Sequence, residues 1–263
     1  MTPAQRNSGI LWGRTLGESM NDSNNKVVLV IGAGVATGGA VARRFAREGY
    51  IACMARRKGD RLEALVEEIE QAGGRAHGFS CDATEEDQVI DLIDGIERDI
   101  GPIEVACYNA AVGAGHSITE FPTETYERVW RINTLGAFIM GREVSKRMVE
   151  RGRGTILFTG ATSALRGKAG LAAFAGSKHA LRALSESMAR ELFPKNIHVA
   201  HIIIDGPIDT PLIRRSMPQV FEERPEDGVL APDDIAETYW SVHCQPRSAW
   251  LHETQLRPWV EPW

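Results

Sequence analysis

The sequence predicts an α/β protein with a single doubly wound parallel sheet and helices on both faces. Three observations predict it. Apolar runs of strand length alternate with longer amphipathic stretches from Val27 to near Leu256. The first run, Val27–Ile31, reads VVLVI and has no polar side, as a strand covered on both faces must. It feeds directly into a glycine-rich turn, residues 32–39, which opens a helix. At 263 residues, with no composition break and no repeat beyond the βα rhythm, one domain over residues 26–263 is the economical division. Residues 1–25 are polar apart from Ile10-Leu11-Trp12 and are expected to form a flexible arm; Met20 offers an alternative start.

The elements follow in order. The first helix is expected at 40–48, closed by Gly49, and the second strand at 50–55. Leu62, Leu65, Val66 and Ile69 make an i, i+3, i+4, i+7 stripe on a helix that ends at Gly73-Gly74. A third strand covers 76–80. Thr84 with Asp87 reads as a capping arrangement for a helix through Val89, Leu92, Ile93 and Ile96 to Gly101. The fourth strand is Ile103–Tyr108, followed by a loop with Gly113, Gly115 and His116. A long helix, 123–151, contains Trp130 and Asn133 and stops at Gly152 and Gly154. The fifth strand, 155–159, precedes a helix that carries Phe174 and Lys178 and runs to Leu192. A sixth strand, 198–204, leads to a loop-rich stretch over 212–230. Pro232, Asp233 and Asp234 open a last helix through Trp240, and a strand-like run near 249–256 precedes the tail, 257–263.

Composition narrows the function. Apolar content of 43% and charged content of 25% are ordinary for a globular chain. A formal net charge of −5 argues against a general nucleic-acid binder, and no apolar run is long enough to span a membrane. Cys53, Cys81, Cys107 and Cys244 show no metal-ligand spacing, so free thiols in a reducing cytoplasm are expected and no metal is.

The chemistry begins at the glycine turn. Strand, turn and helix present helix N-terminal amides to a phosphate. Gly32 permits the turn, Gly34 lets the backbone approach a pyrophosphate, and Gly38 lets the helix pack on the strand; Thr37 stands where G-x-G-x-x-G would have its third glycine. Past the second strand, where an acidic residue would grip a ribose 2′-hydroxyl, the chain reads Ala55-Arg56-Arg57-Lys58. A 2′-phosphate would be met by such cations, Arg56 first among them; a solvated basic turn has the same composition.

These residues carry a resemblance to the short-chain dehydrogenase/reductase family, from Val27 to about Pro211 and more loosely beyond. Gly32-Ala33-Gly34-Val35-Ala36-Thr37-Gly38 is similar to its T-G-x-x-x-G-x-G motif, with Ile31 for the threonine and Ala36 for the middle glycine. Asp82, next to Ala83, falls where the family's aspartate meets adenine. Asn109-Ala110-Ala111 resembles N-A-G, Asn133 the active-site asparagine, and Asp205-Gly206 through Ile208 and Thr210 the P-G-x-x-x-T segment that cups the nicotinamide, with Asp205 for the proline. The resemblance implies a Rossmann-like sheet, a nicotinamide cofactor that Arg56 would make NADP(H), a small-molecule substrate, and homodimers or homotetramers built on the two long helices.

The departures bear on the reaction. Where the family has Y-x-x-x-K, this chain reads Phe174-Ala175-Gly176-Ser177-Lys178, so the lysine is kept and the phenol is lost. Ala161 aligns with the family's serine. Of the catalytic set, Asn133 and Lys178 remain. Thr162, Ser163, His116 and bound water are candidate substitutes. Tyr108, His198 and His201 read as packing residues, and His179 lies about 100° around the helix from Lys178. Trp240, Trp250, Trp259 and Trp263 concentrate near the C-terminus, to pack on the chain itself or on a second subunit. Three functions stay open: an NADP(H)-dependent oxidoreductase with a non-standard proton donor, an NADP(H)-binding protein without turnover, and a non-redox enzyme keeping the nucleotide as a structural part.

Overall fold

The computed structural model describes residues 25–262; the expected arm, Met20 and Trp263 lie outside the described residues, Asn25 excepted. Among the described residues, seven strands form one sheet in the order β3-β2-β1-β4-β5-β6-β7. They are β1 (Val27–Ile31), β2 (Ile51–Arg56), β3 (Arg75–Ser80), β4 (Ile103–Tyr108), β5 (Gly154–Ala161), β6 (Ile197–Ile204) and β7 (Glu253–Leu256). Every pairing is parallel. The order reverses between β1 and β4, which opens a crevice at their carboxyl ends.

The two-sided burial of β1 has a direct structural meaning. Val27, Leu29 and Ile31 face one core, with Val89, Ile93 and Ile96 of α3 (Glu86–Asp99), Met140 and Val144 of α5 (Gly136–Arg151) and Leu181 of α6 (Ala172–Leu192). Val28 and Val30 face the other, with Val41 and Phe45 of α1 (Thr37–Arg47), Leu65 and Ile69 of α2 (Glu63–Gln71) and Ile235 and Tyr239 of α9 (Pro232–His243). The period of two along each strand thus feeds two helical layers.

Several boundaries differ from the sequence expectation. Helix α1 starts at Thr37 rather than residue 40, because Gly38 and Gly39 are close-packed helical residues and not turn. The Thr84 cap is not formed: Thr84 donates from both its amide and its hydroxyl to Asp82 Oδ1, at 3.0 and 2.8 Å, and α3 begins at Glu86. The long helix is interrupted. α4 (Thr123–Trp130) passes into a π-turn, Arg131–Leu135, before α5. The 212–230 stretch holds two short helices, α7 (Pro211–Ser216) and α8 (Gln219–Glu223). Trp240 packs edge-on to Phe45 and Tyr50, and Trp250 stacks on His198 at 4.8 Å, so both tryptophans serve the chain's own core. Cys53, Cys81 and Cys107 are buried whereas Cys244 is exposed. Among the described residues, no helix is long and apolar enough to cross a membrane.

Candidate functional site

The crevice is built from two sides. On the β1 side, Gly32 has φ +91°, and a Cβ there would lie 2.3 Å from the Ala110 amide nitrogen. Glycine is required for β1 and the end of β4 to touch. Asn109 fastens the same contact: its amide donates to Ile31 O at 2.8 Å and its Nδ2 to Gly32 O at 3.0 Å. Gly38 is likewise needed for packing, since a Cβ would stand 2.6 Å from Gly32 O. Gly34 differs. The nearest atom to its missing Cβ is Arg56 Nη1, at 3.8 Å, so the guanidinium reaches back over the turn. The N-terminus of α1 has no side-chain cap and no acid in its first turn. Uncapped amides, with Val35 and Ala36 leading in, therefore sit beside an arginine. This cradle fits a phosphate-bearing dinucleotide.

Asp82 and Ala83 lie beyond β3, with Asp82 half-buried and its amide donating to Gln88 Oε1 at 2.9 Å. Ala110 is half-buried and Ala111 exposed at the crevice floor. Gly206, Ile208 and Thr210 follow β6; the Thr210 hydroxyl accepts from Ile213 N and caps α7.

On the α6 side the polar groups are tightly held. The π-turn pushes Asn133 inward, fully buried. Its Oδ1 accepts from Val112 N at 2.8 Å, while Nδ2 donates to Val112 O at 3.0 Å and Ser177 Oγ at 2.9 Å. Tyr108 is a core residue whose hydroxyl donates to Ile132 O, at 2.6 Å, and satisfies a π-turn carbonyl. Lys178, 2% exposed, donates to Thr159 O at 2.8 Å and lies 5.9 Å from the centre of the Phe174 ring. Burial lowers its pKa to about 8. Ala161 ends β5 and carries no donor.

The candidate substitutes separate by geometry. The Thr162 hydroxyl donates to Asp205 Oδ1 at 2.6 Å, so it has no proton left for a carbonyl. His116 is exposed and packs on Phe121 at 4.9 Å. His179 is exposed with Nδ1 on Ala175 O, and Ser163 is buried. His198 bonds Leu251 O, and His201 meets Glu253, with burial lowering the His201 pKa to about 4.

Sequence reasoning missed two features here. One is a buried polar chain, Tyr239–Thr159–Asn109, with oxygens at 2.7 and 3.1 Å, linking α9 to the glycine turn. On β5, Ile156 and Phe158 face the α6 core and Leu157 the α9 core, so Thr159 shares the face of Leu157 and meets Tyr239, a contact that sequence spacing does not announce. The other is Asp205, read as a lost proline and found to be a fully buried carboxylate with several partners.

Comparison with known proteins agrees with this architecture. A family model described as short chain dehydrogenase matches residues 26–220. A 3beta-hydroxysteroid dehydrogenase from Mediterraneibacter gnavus is 33% identical over 217 residues, 82% of this chain and 78% of the relative. The crystal structure of a short-chain dehydrogenase from Rhodopseudomonas palustris is 40% identical, with a TM-score of 0.77, over 89% of this chain and 99% of that one. An alcohol dehydrogenase from the archaeon Thermococcus sibiricus, complexed with 5-hydroxy-NADP, is 25% identical, with a TM-score of 0.79, over 90% of this chain and 98% of that one.

Proposed function

This chain belongs to the short-chain dehydrogenase/reductase family, and from that footing we propose that it is an NADP(H)-dependent oxidoreductase acting on a carbonyl or alcohol with a non-standard proton donor. One observation carries the cofactor choice: the Arg56 guanidinium over Gly34, beside the uncapped start of α1, with no carboxylate at the end of β2. Bound NADP(H) would supply or accept a hydride. Arg56 would hold the 2′-phosphate, the amides of 34–38 the pyrophosphate, and the segments at Asp82–Ala83, Asn109–Ala111 and Gly206–Thr210 the rest of the nucleotide. Lys178 spends one N–H on Thr159 O and keeps two for ribose hydroxyls. Phe174, half-buried, fills the volume of the phenol's ring without carrying a proton. The proton at the substrate oxygen then comes from water, since Thr162 is committed to Asp205, His116 faces solvent and the N–H groups of Lys178 are taken by Thr159 O and the ribose.

A second reading, nucleotide binding without turnover, is favoured by Phe174 and Ala161 together. Titration with NADPH and NADH, followed by a carbonyl and alcohol panel, separates the two. Tight NADPH binding with turnover supports the oxidoreductase, tight binding without turnover the second reading, and failure to bind either nucleotide removes both.

A homodimer or homotetramer on the long helices goes with this reading. Trp130, Phe138 and Val149 stand exposed along α4 and α5. A monodisperse monomer in sedimentation at micromolar concentration would count against it. Buried thiols with pKa values pushed up to about 11 or 12 suit a reducing cytoplasm.

A further inference from the structure

Asp205 follows β6 directly and is fully buried. Its two oxygens serve different segments. Oδ1 accepts from Thr162 Oγ1 at 2.6 Å and lies 3.6 Å from Arg166 Nη2, both in the loop after β5. Oδ2 accepts from Arg257 Nη2 at 2.6 Å and from the Gln255 amide, on β7 and the tail behind it. The tail then crosses Gly206, where a Cβ would lie 2.7 Å from Pro258 Cδ and 3.6 Å from Glu261 Oε2. Gly206 is thus a glycine for the tail as well as for any nucleotide.

From there the tail reaches the segment over the strand ends. Glu261 Oε2 accepts from Arg224 Nη2 at 2.7 Å, and Arg224 Nη1 donates to Gly228 O at 2.8 Å. Trp259 Nε1 donates to Glu226 O at 3.3 Å. Arg224 and Glu261 are only 24% and 18% exposed, so their pair is better shielded than an ordinary surface pair. The segment they hold has little strength of its own. α7 and α8 are too short to persist alone. Its two feet are joined by the Ile208–Leu230 bridge, with Asp209 N donating to Leu230 O at 2.8 Å.

We propose that residues 257–262 are a brace that fixes the 211–228 lid over the carboxyl ends of the strands. Arg257 anchors the brace on buried Asp205, and Glu261 carries it to Arg224. Both are positioning residues: they act through the lid, whose placement governs which substrates enter. The substrate half of this inference rests on the oxidoreductase reading; the brace itself does not.

Hydrogen exchange of the full chain tests it. Glu261→Arg should speed amide exchange across 211–228 by about tenfold while leaving β1 to β6 protected. The charge-swapped double variant Arg224→Glu/Glu261→Arg should return the lid to near wild-type exchange. A lid unchanged in Glu261→Arg, or a double variant as fast as the single, overturns the brace. With any panel substrate that turns over, Glu261→Arg should raise KM more than it lowers kcat; a faster lid with an unmoved KM overturns its role in substrate entry. Loss of the oxidoreductase reading would show separately, as NADPH binding without turnover of any panel substrate or as absent NADPH binding, while lid exchange still decides the brace.

Discussion

Under the family alignment on which the proposed function rests, the β1 side and the α6 side of the crevice depart from the family pattern in different ways. On the β1 side, Ile31 and Ala36 replace motif residues, yet the contacts that shape the cradle remain: Gly32 against Ala110, Gly38 against Gly32 O, Asn109 on the turn. On the α6 side the packing remains and the reactive atoms go. In that alignment Phe174 would keep the tyrosine's ring without its oxygen, and Ala161 the serine's Cβ without its hydroxyl. Asn133 and Lys178 stay in place because their holds, on Val112, Ser177 and Thr159, do not involve the lost groups. A binding cradle is a matter of backbone shape and fixed charge, whereas proton transfer depends on one or two titratable atoms. Losing those atoms costs chemistry and leaves the fold intact.

The sharpest way to break the comparison is to damage the shape of the β1 side. Gly32→Ala meets both a positive φ and the Ala110 backbone at 2.3 Å. It is expected to cost about 4–5 kcal/mol or prevent folding, read as a lower Tm in thermal unfolding. A variant that unfolds like wild type would show that the β1–β4 contact is not what shapes the cradle.

Restoring the lost atoms on the α6 side comes next in size. Phe174→Tyr with Ala161→Ser should raise carbonyl reduction by about 10²–10⁴-fold, the usual worth of a positioned general acid, with little change in Tm. A panel activity that stays flat while the wild type turns over would mean that the native donor occupies a different place. The phenol would arrive near Lys178 Nζ, now 5.9 Å from the ring centre.

Legibility followed the same division. The two-sided apolar run of β1, the i, i+3, i+4, i+7 stripes and the glycines fixed the sheet and its helices, because those signals are local and periodic. The α1 start was misplaced because Gly38 and Gly39 read as turn, although Gly39 is glycine for close approach to Gly34 O. The π-turn at Asn133 shifts the apolar stripe by a single residue, a shift that one helix is too short to distinguish from ordinary scatter. Asp205 was visible as a substitution but not as a hub, because its partners at 162, 166, 255 and 257 meet only in three dimensions.

Lys178, on the α6 side, serves binding, and pH separates its cost from its use. Burial lowers its pKa from 10.5 to about 8 in the folded chain. Below pH 8 both states carry the ammonium and the folded state bears the desolvation penalty. Between about pH 8 and the unfolded value the unfolded chain holds the extra proton, so wild-type stability should rise with pH by roughly 3 kcal/mol relative to Lys178→Met. Comparing the two by denaturant unfolding cancels the opposing titration of the buried thiols and phenols. Lys178→Met should also weaken NADPH binding. A flat stability difference across that window would place the lysine in water, and an unchanged NADPH affinity would remove its ribose role.

The smallest expected effect discriminates most finely. Arg56 is half-buried, with Nη1 beside Gly34, and among the described residues its guanidinium makes no hydrogen bond or ion pair. Arg56→Ala should therefore leave the unfolding free energy within about half a kcal/mol of wild type, as surface substitutions away from caps and cores do. Its effect should fall on the nucleotide alone. A charge-assisted bond to a 2′-phosphate is worth about 1.5–3 kcal/mol, so NADPH affinity should fall by about tenfold to a hundredfold. NADH, with a hydroxyl in place of that phosphate, offers Arg56 no such bond and should bind almost as before. Isothermal titration with both nucleotides reads the difference directly. An equal loss for both would move Arg56 from the 2′-phosphate to the pyrophosphate that the two nucleotides share, and with it the basis for choosing NADP(H).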